Sequence, residues 1–365
     1  MHVCLVLGAG ATLANAQHFH SERMRESWPP LDTTFFETVQ SRGIGLTAGL
    51  QAYFRQIVGI DPTSTTLREL RMEEVFKDAF YDLDETPSNS TALNGYIDLV
   101  DLYLRVLRDT TNWLGEDKRK RAPIGRLLAQ AGGIADEVTV ITFNHDLVIE
   151  SEIYKRAQLR KRWCLDHGYG TLGPTFTIAR PTTNRPTFPQ HSDGDCDHTR
   201  PITILKLHGS LNWVVRLTSI RPTANFLRGK SAKRDVNLLT LRHISDRTTM
   251  VRSGQGRTSW ETWPVVVPPV YAKQALRAAV QTAWRDARRA LLRADRVVFF
   301  GYSLPAIDIE AEKLFERTLA KGPAEWVDVV NPASATAARF AEVGKSVPVR
   351  WYPGLDEFLA AGAFA

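Results

Sequence analysis

The chain has 365 residues, of which 43% are hydrophobic, and a formal net charge of +6. It has three cysteines and no Cys-x-x-Cys pair, so neither a disulfide framework nor a cysteine zinc site is indicated, and a reducing cytoplasm is the expected location. No stretch approaches the roughly twenty consecutive apolar residues that a membrane-spanning helix needs. We therefore expect a soluble chain without a membrane partner.

The first element is the apolar run VCLVLGAGATLANA, Val3 to Ala16, which has two interpretations. A secretion signal ends in similar small residues, but it needs a positively charged start and an uninterrupted apolar helix, and both are missing here. The alternative is a strand followed by the glycine turn Gly8 to Thr12. Such a turn lets backbone N–H groups approach a pyrophosphate at a helix N-terminus. We favour this second interpretation.

Short runs of Val, Ile, Leu and Phe recur along the chain with few polar interruptions, as in strands buried on both faces. Helix-period segments lie between several of them, most clearly Ala275 to Leu292. This alternation predicts an α/β fold, a Rossmann-like doubly wound parallel sheet covered on both sides. The predicted strands are Val3 to Leu7, Val138 to Phe143, Thr203 to Leu207, Val297 to Phe300, Trp326 to Val330 and Val349 to Tyr352.

The stretch between the first two predicted strands is too long for a single crossover, and its pattern is largely helical. Apolar residues recur three and four apart over Leu67 to Tyr81 and over Leu93 to Leu107, and Pro87 marks a break between them. We predict a helical insertion subdomain over residues 46–131, within one domain that spans residues 1–365.

Two further insertions, residues 155–200 and 216–263, are rich in Pro, Thr, Gly and Arg and are predicted to be mainly loops. The second contains a basic stretch from Arg216 to Arg257, with ten Lys or Arg against two Asp, a local charge of +8. It could bind nucleic acid or an acidic partner, although a solvated insertion explains the same charge. His191 to His198 concentrates metal-ligand types, but its spacing fits neither a calcium loop nor a zinc site.

Polar residues follow the ends of several predicted strands, where ligands of doubly wound sheets bind. Asn144 and Asp146 come after the second strand, where either could also be an ordinary helix cap. His208 ends the third, followed by a glycine that allows backbone to approach a ligand, although a lone histidine of this kind is more often structural. Taken together, these strand ends favour a ligand site. The later strand ends contribute Gly301, Ser303, Asp308 and Asn331.

The order of these motifs resembles the sirtuin fold. It runs Gly-Ala-Gly, Asn-x-Asp, His-Gly, a Pro-Pro with a nearby lysine in Val267 to Lys273, Gly-x-Ser-Leu and a late Asn. TFNHD, KLHGSLNW and GYSLPAID look most like the bacterial SIR2-like domains of anti-phage defence systems. The resemblance implies NAD as the ligand and substrate. It leaves the helical and basic insertions unaccounted for.

The resemblance also implies a role for each matching residue. His208 matches the catalytic histidine, and Asn144 and Asp146 match the pair that positions ribose and water. Asp32 and Phe35 lie where sirtuins place the loop that covers nicotinamide, although the family's arginine is missing there. The residues that match the pyrophosphate turn and the other phosphate and ribose contacts are Gly8, Ala9, Gly10, Thr12, Gly209, Gly301, Ser303 and Asn331.

Sirtuin deacetylases carry a zinc module with two cysteine pairs, which this chain lacks, so no metal is expected and a peptide substrate is disfavoured. Nicotinamide in NAD is already a cationic leaving group, so its cleavage needs no general acid, unlike ordinary glycoside hydrolysis. Asn144 could orient the attacking water, and His208 could accept a proton from a ribose hydroxyl or from water. We therefore predict an NAD glycohydrolase that releases nicotinamide and ADP-ribose.

By the same resemblance, the chain would be a defence effector that acts as a homo-oligomer or with a partner such as a motor ATPase. Two alternatives stay open. The first is a non-catalytic module that senses NAD or ADP-ribose, which the presence of both Asn144 and His208 disfavours. The second is an NAD-dependent deacylase or ADP-ribosyl transferase, which would need a groove for the acceptor.

Overall fold

The computed structural model contains two β-sheets. It describes residues 1–19, 28–111, 121–163, 168–170, 176–178, 199–217, 222–228, 236–241, 262–267, 277–306, 308–345, 347–362 and 364. The six strands of the larger sheet are β1 (His2–Leu7), β2 (Glu137–Thr142), β4 (Ile202–Lys206), β8 (Arg296–Phe300), β9 (Val327–Val330) and β10 (Val349–Tyr352). The four strands of the smaller sheet are β3 (Phe176–Ile178), β5 (Gly209–Leu217), β6 (Val236–Leu241) and β7 (Thr262–Val266).

The larger sheet has the strand order β10-β9-β8-β1-β2-β4, and all its neighbouring strands are parallel. From the central strand β1 the chain moves outward through β2 to β4, then returns to the other side of β1 at β8 and continues to β10. This is the order of a Rossmann-like doubly wound sheet, whose ligand crevice lies outside the carboxyl ends of the strands where the order reverses. The predicted fold class is confirmed, and the crevice is expected beyond β1 and β8.

The residues of β1 alternate between two hydrophobic cores. Val3, Leu5 and Leu7 belong to one core, and Cys4 and Val6 belong to the other, because successive side chains of a strand point to opposite faces of the sheet. Every residue of β1 is buried. The strand is therefore apolar along its length, as a parallel strand covered on both faces must be.

Helices cover both faces of the larger sheet, and four of them lie between α2 and β2, where the helical insertion is predicted. The predicted break at Pro87 separates α4 from α5, and the predicted helix Ala275 to Leu292 corresponds to α10. The helices are α1 (Ala9–Phe19), α2 (Phe35–Ser41), α3 (Ala48–Tyr53), α4 (Met72–Glu85), α5 (Ser90–Thr111), α6 (Pro123–Ile134), α7 (Val148–Tyr154), α8 (Ala157–Arg160), α9 (Ala224–Leu227), α10 (Arg277–Arg293), α11 (Ile309–Thr318), α12 (Ser334–Gly344) and α13 (Leu355–Ala360).

The helix predicted over Leu67 to Tyr81 is divided into two elements. A 3₁₀ turn covers Thr65–Glu69, and α4 begins only at Met72. Leu70 and Arg71 between them have extended backbone, with ψ of 139° and 130°, which interrupts the helical hydrogen bonding. The apolar period continues across this break because both pieces face the same core.

The described parts of residues 155–200 and 216–263, which are predicted to be mainly loops, include regular elements. These ranges contain α8, α9, β3 and β6, and also the end of β5 and the start of β7. The apolar hexamer VNLLTL of β6 lies inside the basic stretch, whose charges masked its strand character. His191 to His198 and most of the basic stretch lie outside the described residues, so the proposed nucleic-acid contact there stays a prediction.

Across the described ranges, no helix has both the length and the apolar character that crossing a membrane requires.

Candidate functional site

A cavity of about 860 Å³ lies at the carboxyl ends of the larger sheet, beyond β1 and β8. Residues that follow all six strands of this sheet line it, together with residues of α4 and α5 from the helical insertion. Of the predicted site residues, only Gly209 is absent from its lining. Those that line it are Gly8, Ala9, Gly10, Thr12, Asp32, Phe35, Asn144, Asp146, His208, Gly301, Ser303 and Asn331.

One side of the cavity is a glycine wall, formed by Gly8, Gly10 and Gly301. The Gly10 N–H donates to the Gly301 carbonyl (2.9 Å), and the Gly8 N–H donates to the Phe300 carbonyl (3.2 Å). A Cβ on Gly8 would lie 2.6 Å from the Gly301 oxygen, and one on Gly301 would lie 2.1 Å from the Ala11 nitrogen. Gly301 also has φ of +62°, which favours glycine. The turns after β1 and β8 therefore pack backbone against backbone.

This packing changes the interpretation of the glycine turn. The Gly10 N–H, one of the donors expected to face a phosphate, is already bonded to the turn after β8. Ala9 and Thr12 in the first turn of α1 still line the cavity, and that turn contains no acidic residue. The positive end of the α1 dipole is therefore directed toward the cavity, with the Asp146 carboxyl bonded to Thr12 beside it.

A polar wall adjoins the glycine wall and is formed by Asn144, Asp146, His208 and Asp308. The Asn144 Nδ2 donates to the Gly8 carbonyl (2.8 Å) and to Thr12 Oγ1 (3.0 Å). Because a carbonyl oxygen only accepts, the first bond fixes which side-chain atom is the nitrogen. Both amide hydrogens are thus used to hold the turn after β1, and Oδ1 is the acceptor that remains for a ligand or a water.

Asp146 connects the turn after β2 to α1 and to α7 through its two carboxyl oxygens. Its Oδ2 accepts from Thr12 Oγ1 (2.8 Å), and its Oδ1 accepts from the Val148 N–H (3.0 Å) at the start of α7. The side chain is 4% exposed. Asp146 therefore accepts from the first N–H of α7, although the N-cap residue is Leu147, whereas Asn144 donates to the turn after β1. Asp146 acts on Asn144 through Thr12, which both of them contact.

His208 lies at the end of β4, is 5% exposed and reaches the cavity through a ring of aromatic side chains. Its ring centroid is 5.2 Å from that of Phe143 and 6.3 Å from that of Trp284. Its Nε2 lies 3.7 Å from Asp308 Oδ2. The imidazole is therefore held in a largely apolar setting beside one buried carboxylate.

A buried ion pair supports the polar wall from behind. Lys206 Nζ lies 3.0 Å from Glu150 Oε1, neither side chain is exposed, and the lysine also donates to the main-chain carbonyl of Asp146. Tyr169 donates to Glu150 (2.8 Å) and accepts from Asn212 Nδ2 (3.2 Å). Burial, and then the charge of Glu150, raise the pKa of Tyr169, so the phenol keeps its proton. This pair fixes the turn after β2 to β4.

Sequence reasoning assigned no role to His145 or Tyr103. Both line the cavity, and His145 Nδ1 lies 2.8 Å from the Tyr103 hydroxyl. Burial, and then the charges of Asp146 and Glu73, raise the pKa of Tyr103, so this phenol also stays protonated. His145 could have been found, since it lies between two predicted site residues. Tyr103 gives no local signal, because it is one apolar position of the amphipathic helix α5.

Asp32 lines the cavity, but its oxygens are bonded to the helical insertion. It accepts from Arg71 Nε (2.8 Å) and from the Glu73 N–H (2.7 Å) at the start of α4. Arg71 also lines the cavity, with 51% of its side chain exposed. A guanidinium from the start of α4 thus lies beside Asp32 at this end of the cavity. Phe35 is buried at the same end, with 1% of its surface exposed.

Gly209 lies away from the cavity, and its glycine is required by the local backbone conformation and packing. Its φ is +85°, and a Cβ there would lie 1.9 Å from the Val265 carbonyl oxygen. The glycine therefore allows β5 to turn back and pack closely against β7. Ser303 is exposed at the cavity, and Asn331 uses its Oδ1 to accept from the Ala333 N–H (2.9 Å).

In the part of the chain that the structure describes, no group of three or more His, Cys, Asp or Glu side chains is arranged to hold a metal ion.

No protein-family model and no curated protein matches the chain. A solved structure described as "Structural Basis for the Mechanism and Regulation of Sir2 Enzymes" is 13% identical, with a TM-score of 0.38, and the alignment covers 99% of this chain and 93% of that one. Both the identity and the TM-score are low. The similarity therefore assigns neither a family nor an activity, and the function is argued from the cavity.

Proposed function

We propose that this chain binds NAD in the cavity beyond β1 and β8 and hydrolyses it to nicotinamide and ADP-ribose. One observation carries the proposal. Asn144 and His208, at the ends of the neighbouring strands β2 and β4, line the same cavity as the glycine turn after β1. The strand order around that turn is the one that binds dinucleotides in other doubly wound folds.

The shape and charge of the cavity suit a dinucleotide. Its volume of about 860 Å³ lies within the range of small-molecule sites. The N-terminus of α1 and the Arg71 guanidinium supply positive charge for a pyrophosphate. Asn331, beyond β9, would then contact the adenosine half, and the polar wall would face the nicotinamide ribose.

The chemistry needs a positioned water and a proton acceptor. Asn144 Oδ1 would accept a hydrogen bond from the water, because its Nδ2 is held by Gly8 and Thr12. The water oxygen bonds to C1′ of the ribose while the bond to nicotinamide breaks, and nicotinamide leaves with the electron pair as a neutral molecule. The water proton passes to His208. Carboxylates of the polar wall favour the positive charge that develops on the ribose.

The biological output follows from the resemblance to SIR2-like defence domains. NAD hydrolysis without a regenerating step would deplete the NAD of an infected cell, and a homo-oligomer or a motor ATPase partner would control when this happens. The cavity itself favours none of these partners, so they enter the proposal only through the resemblance of the motifs.

The test is to incubate the purified chain with NAD and to separate the products by chromatography. His208→Gln is the main variant, and His2→Gln is its control, because His2 is buried to a similar extent, 8% against 5% exposed, and does not line the cavity. We expect the wild type and His2→Gln to release nicotinamide and ADP-ribose at the same rate. In His208→Gln the rate of release should fall by about 10²-fold or more. Binding of NAD without any cleavage would overturn the proposal in favour of the sensing module.

A further inference from the structure

Asp308 is a buried carboxylate of the polar wall to which the proposed chemistry gives no role of its own toward His208. It lies just before α11, is 6% exposed and lines the cavity. Its Oδ2 is 3.7 Å from His208 Nε2 and accepts a hydrogen bond from the Tyr302 hydroxyl (3.1 Å). Burying a carboxylate is costly unless it is paired. The Asp308 carboxyl therefore lies beside His208, a group that can become positively charged.

Tyr302 fixes the carboxylate in this position. The phenol is buried, and burial together with the charge of Asp308 raises the pKa of Tyr302 well above its usual value, so it remains a hydrogen-bond donor. Its ring stacks on Phe143, with the centroids 4.3 Å apart and the planes at 7°. Phe143 also makes a T-shaped contact with His208. The Phe143 ring therefore lies between Tyr302 and His208 and helps to set the distance from the imidazole to the Asp308 carboxylate.

Other titratable groups line the same cavity. The turn after β2 brings Asp146 and also His145, whose ring centroid is 6.1 Å from that of His208, and α4 and α5 bring Glu73 and Tyr103. Lys206, two residues before His208, is bonded to Glu150 and to the carbonyl of Asp146. Asp308 is the carboxylate whose oxygen lies nearest a ring nitrogen of His208 among the ion pairs of the described residues.

We propose that Asp308 is the positioning residue of His208 and stabilises its imidazolium form when the histidine accepts the proton during NAD cleavage. The inference rests on the proposed function and adds a residue that neither the motifs nor the resemblance assigned a role. As the C1′–O bond forms, the water proton moves to His208, and the imidazolium pairs with the Asp308 carboxylate. Tyr302 keeps its proton throughout.

The sign of the expected pH dependence follows from this pairing. An opposite charge within about 4–6 Å favours the charged form of a titrating group. The carboxylate therefore moves the His208 titration to higher pH, and Asp308→Asn should move it back to lower pH. In the pH profile of NAD cleavage, the acid limb of Asp308→Asn should also move to lower pH. The plateau rate of this variant should fall, because its imidazole is a weaker base.

The experiment follows the ring signals of histidine by NMR as a function of pH, with the His208 signal assigned from its absence in His208→Gln. We expect Asp308→Asn, which has nearly the same shape, to lower the His208 midpoint by about one pH unit. Asp328→Asn is the matched control, because Asp328 is a fully buried carboxylate outside the cavity that pairs with Arg350. It should leave the His208 midpoint unchanged.

A second variant separates charge from general disturbance of the site. Tyr302→Phe removes the hydrogen bond that positions the carboxylate but keeps the carboxylate itself, so the His208 midpoint should fall by clearly less than in Asp308→Asn. An unchanged midpoint in Asp308→Asn, or an equal fall in Tyr302→Phe, would overturn the inference. The NMR titration needs no NAD, so it tests Asp308 even if the chain does not cleave NAD. Conversely, NAD cleavage with an unchanged midpoint would leave the proposed function intact.

Discussion

The two walls of the cavity are built in different ways. The glycine wall is held by backbone hydrogen bonds between the turns after β1 and β8, in places where a single methyl group would overlap the opposite backbone. The polar wall is held by side chains, through a chain of hydrogen bonds that joins Asn144, Thr12 and Asp146. Substitutions in the first wall should therefore damage the fold, and conservative substitutions at the cavity face of the second should mainly damage the chemistry.

The largest effect on stability is expected at the ion pair behind the polar wall. A substitution there should damage the fold, although the residues support the polar wall. Lys206→Met leaves Glu150 charged and buried without its ion-pair partner, which should cost about 3–5 kcal/mol of unfolding free energy. The double variant Lys206→Met/Glu150→Gln should recover part of this loss, because it removes both charges. Denaturant unfolding of the single and double variants measures the coupling. A cost of under about 1 kcal/mol for Lys206→Met would show that the wall does not depend on this pair.

The next effect is expected in the glycine wall. Gly301→Ala combines an unfavourable positive φ with overlap on the Ala11 nitrogen. We therefore expect it to lower the unfolding free energy by about 3 kcal/mol. Gly59→Ala is the matched control, because Gly59 also has a positive φ, +75°, but open space around its Cα. It should lose only about 1 kcal/mol. Equal losses in thermal or chemical unfolding would mean that close packing of the two turns contributes nothing.

A comparable effect, here on the rate, is expected at Asn144, and the loss of its two hydrogen bonds to the turn after β1 should also lower the unfolding free energy by about 1–2 kcal/mol. Asn144→Ala removes the acceptor for the attacking water and should lower kcat for NAD cleavage by about 10²-fold. Asn331→Ala, on the same cavity but outside the polar wall, should raise KM and leave kcat nearly unchanged. Steady-state kinetics of both variants provide the comparison. Full activity in Asn144→Ala would contradict the assigned role.

The smallest effect is expected at Thr12, which joins the two walls. Thr12→Val keeps the shape of the side chain but removes the hydrogen bond to Asp146 and the acceptor for Asn144, which should cost about 1–2 kcal/mol of stability. Thr12→Ser keeps the hydroxyl and should lose less. Chemical unfolding of the two variants gives the comparison, and a Thr12→Ser variant as unstable as Thr12→Val would show that the hydroxyl does not matter.

Much of the larger sheet could be predicted because its strands are short apolar runs in a region where both faces are covered. The six predicted strands differ from the observed ones by one residue at most at either end. The smaller sheet was missed because β6 lies within a basic stretch and β3 has only three residues. The basic composition around β6 favours a loop, whereas the pairing of β6 with β3 and β5 is decided by residues distant in sequence.

The position of the candidate site could also be predicted, since polar residues after buried parallel strands must meet at one edge of the sheet. The individual roles could not. Asp32 carries the polar character expected of a binding residue, but its carboxylate is used by Arg71 and the start of α4. Gly209 shows the same limit, because its glycine serves the approach of β5 to β7. The partners that decide both cases are far away along the chain.

The most direct test of the central claim compares NAD binding with NAD cleavage in His208→Gln. Calorimetry with the intact variant measures the dissociation constant for NAD, and chromatography of the same sample measures nicotinamide release. We predict that binding stays within about threefold of the wild type while cleavage falls by about 10²-fold or more, because the histidine acts on the proton and not on the dinucleotide as a whole. Wild-type cleavage in this variant would contradict the assignment of the cavity beyond β1 and β8 as the place where NAD is hydrolysed.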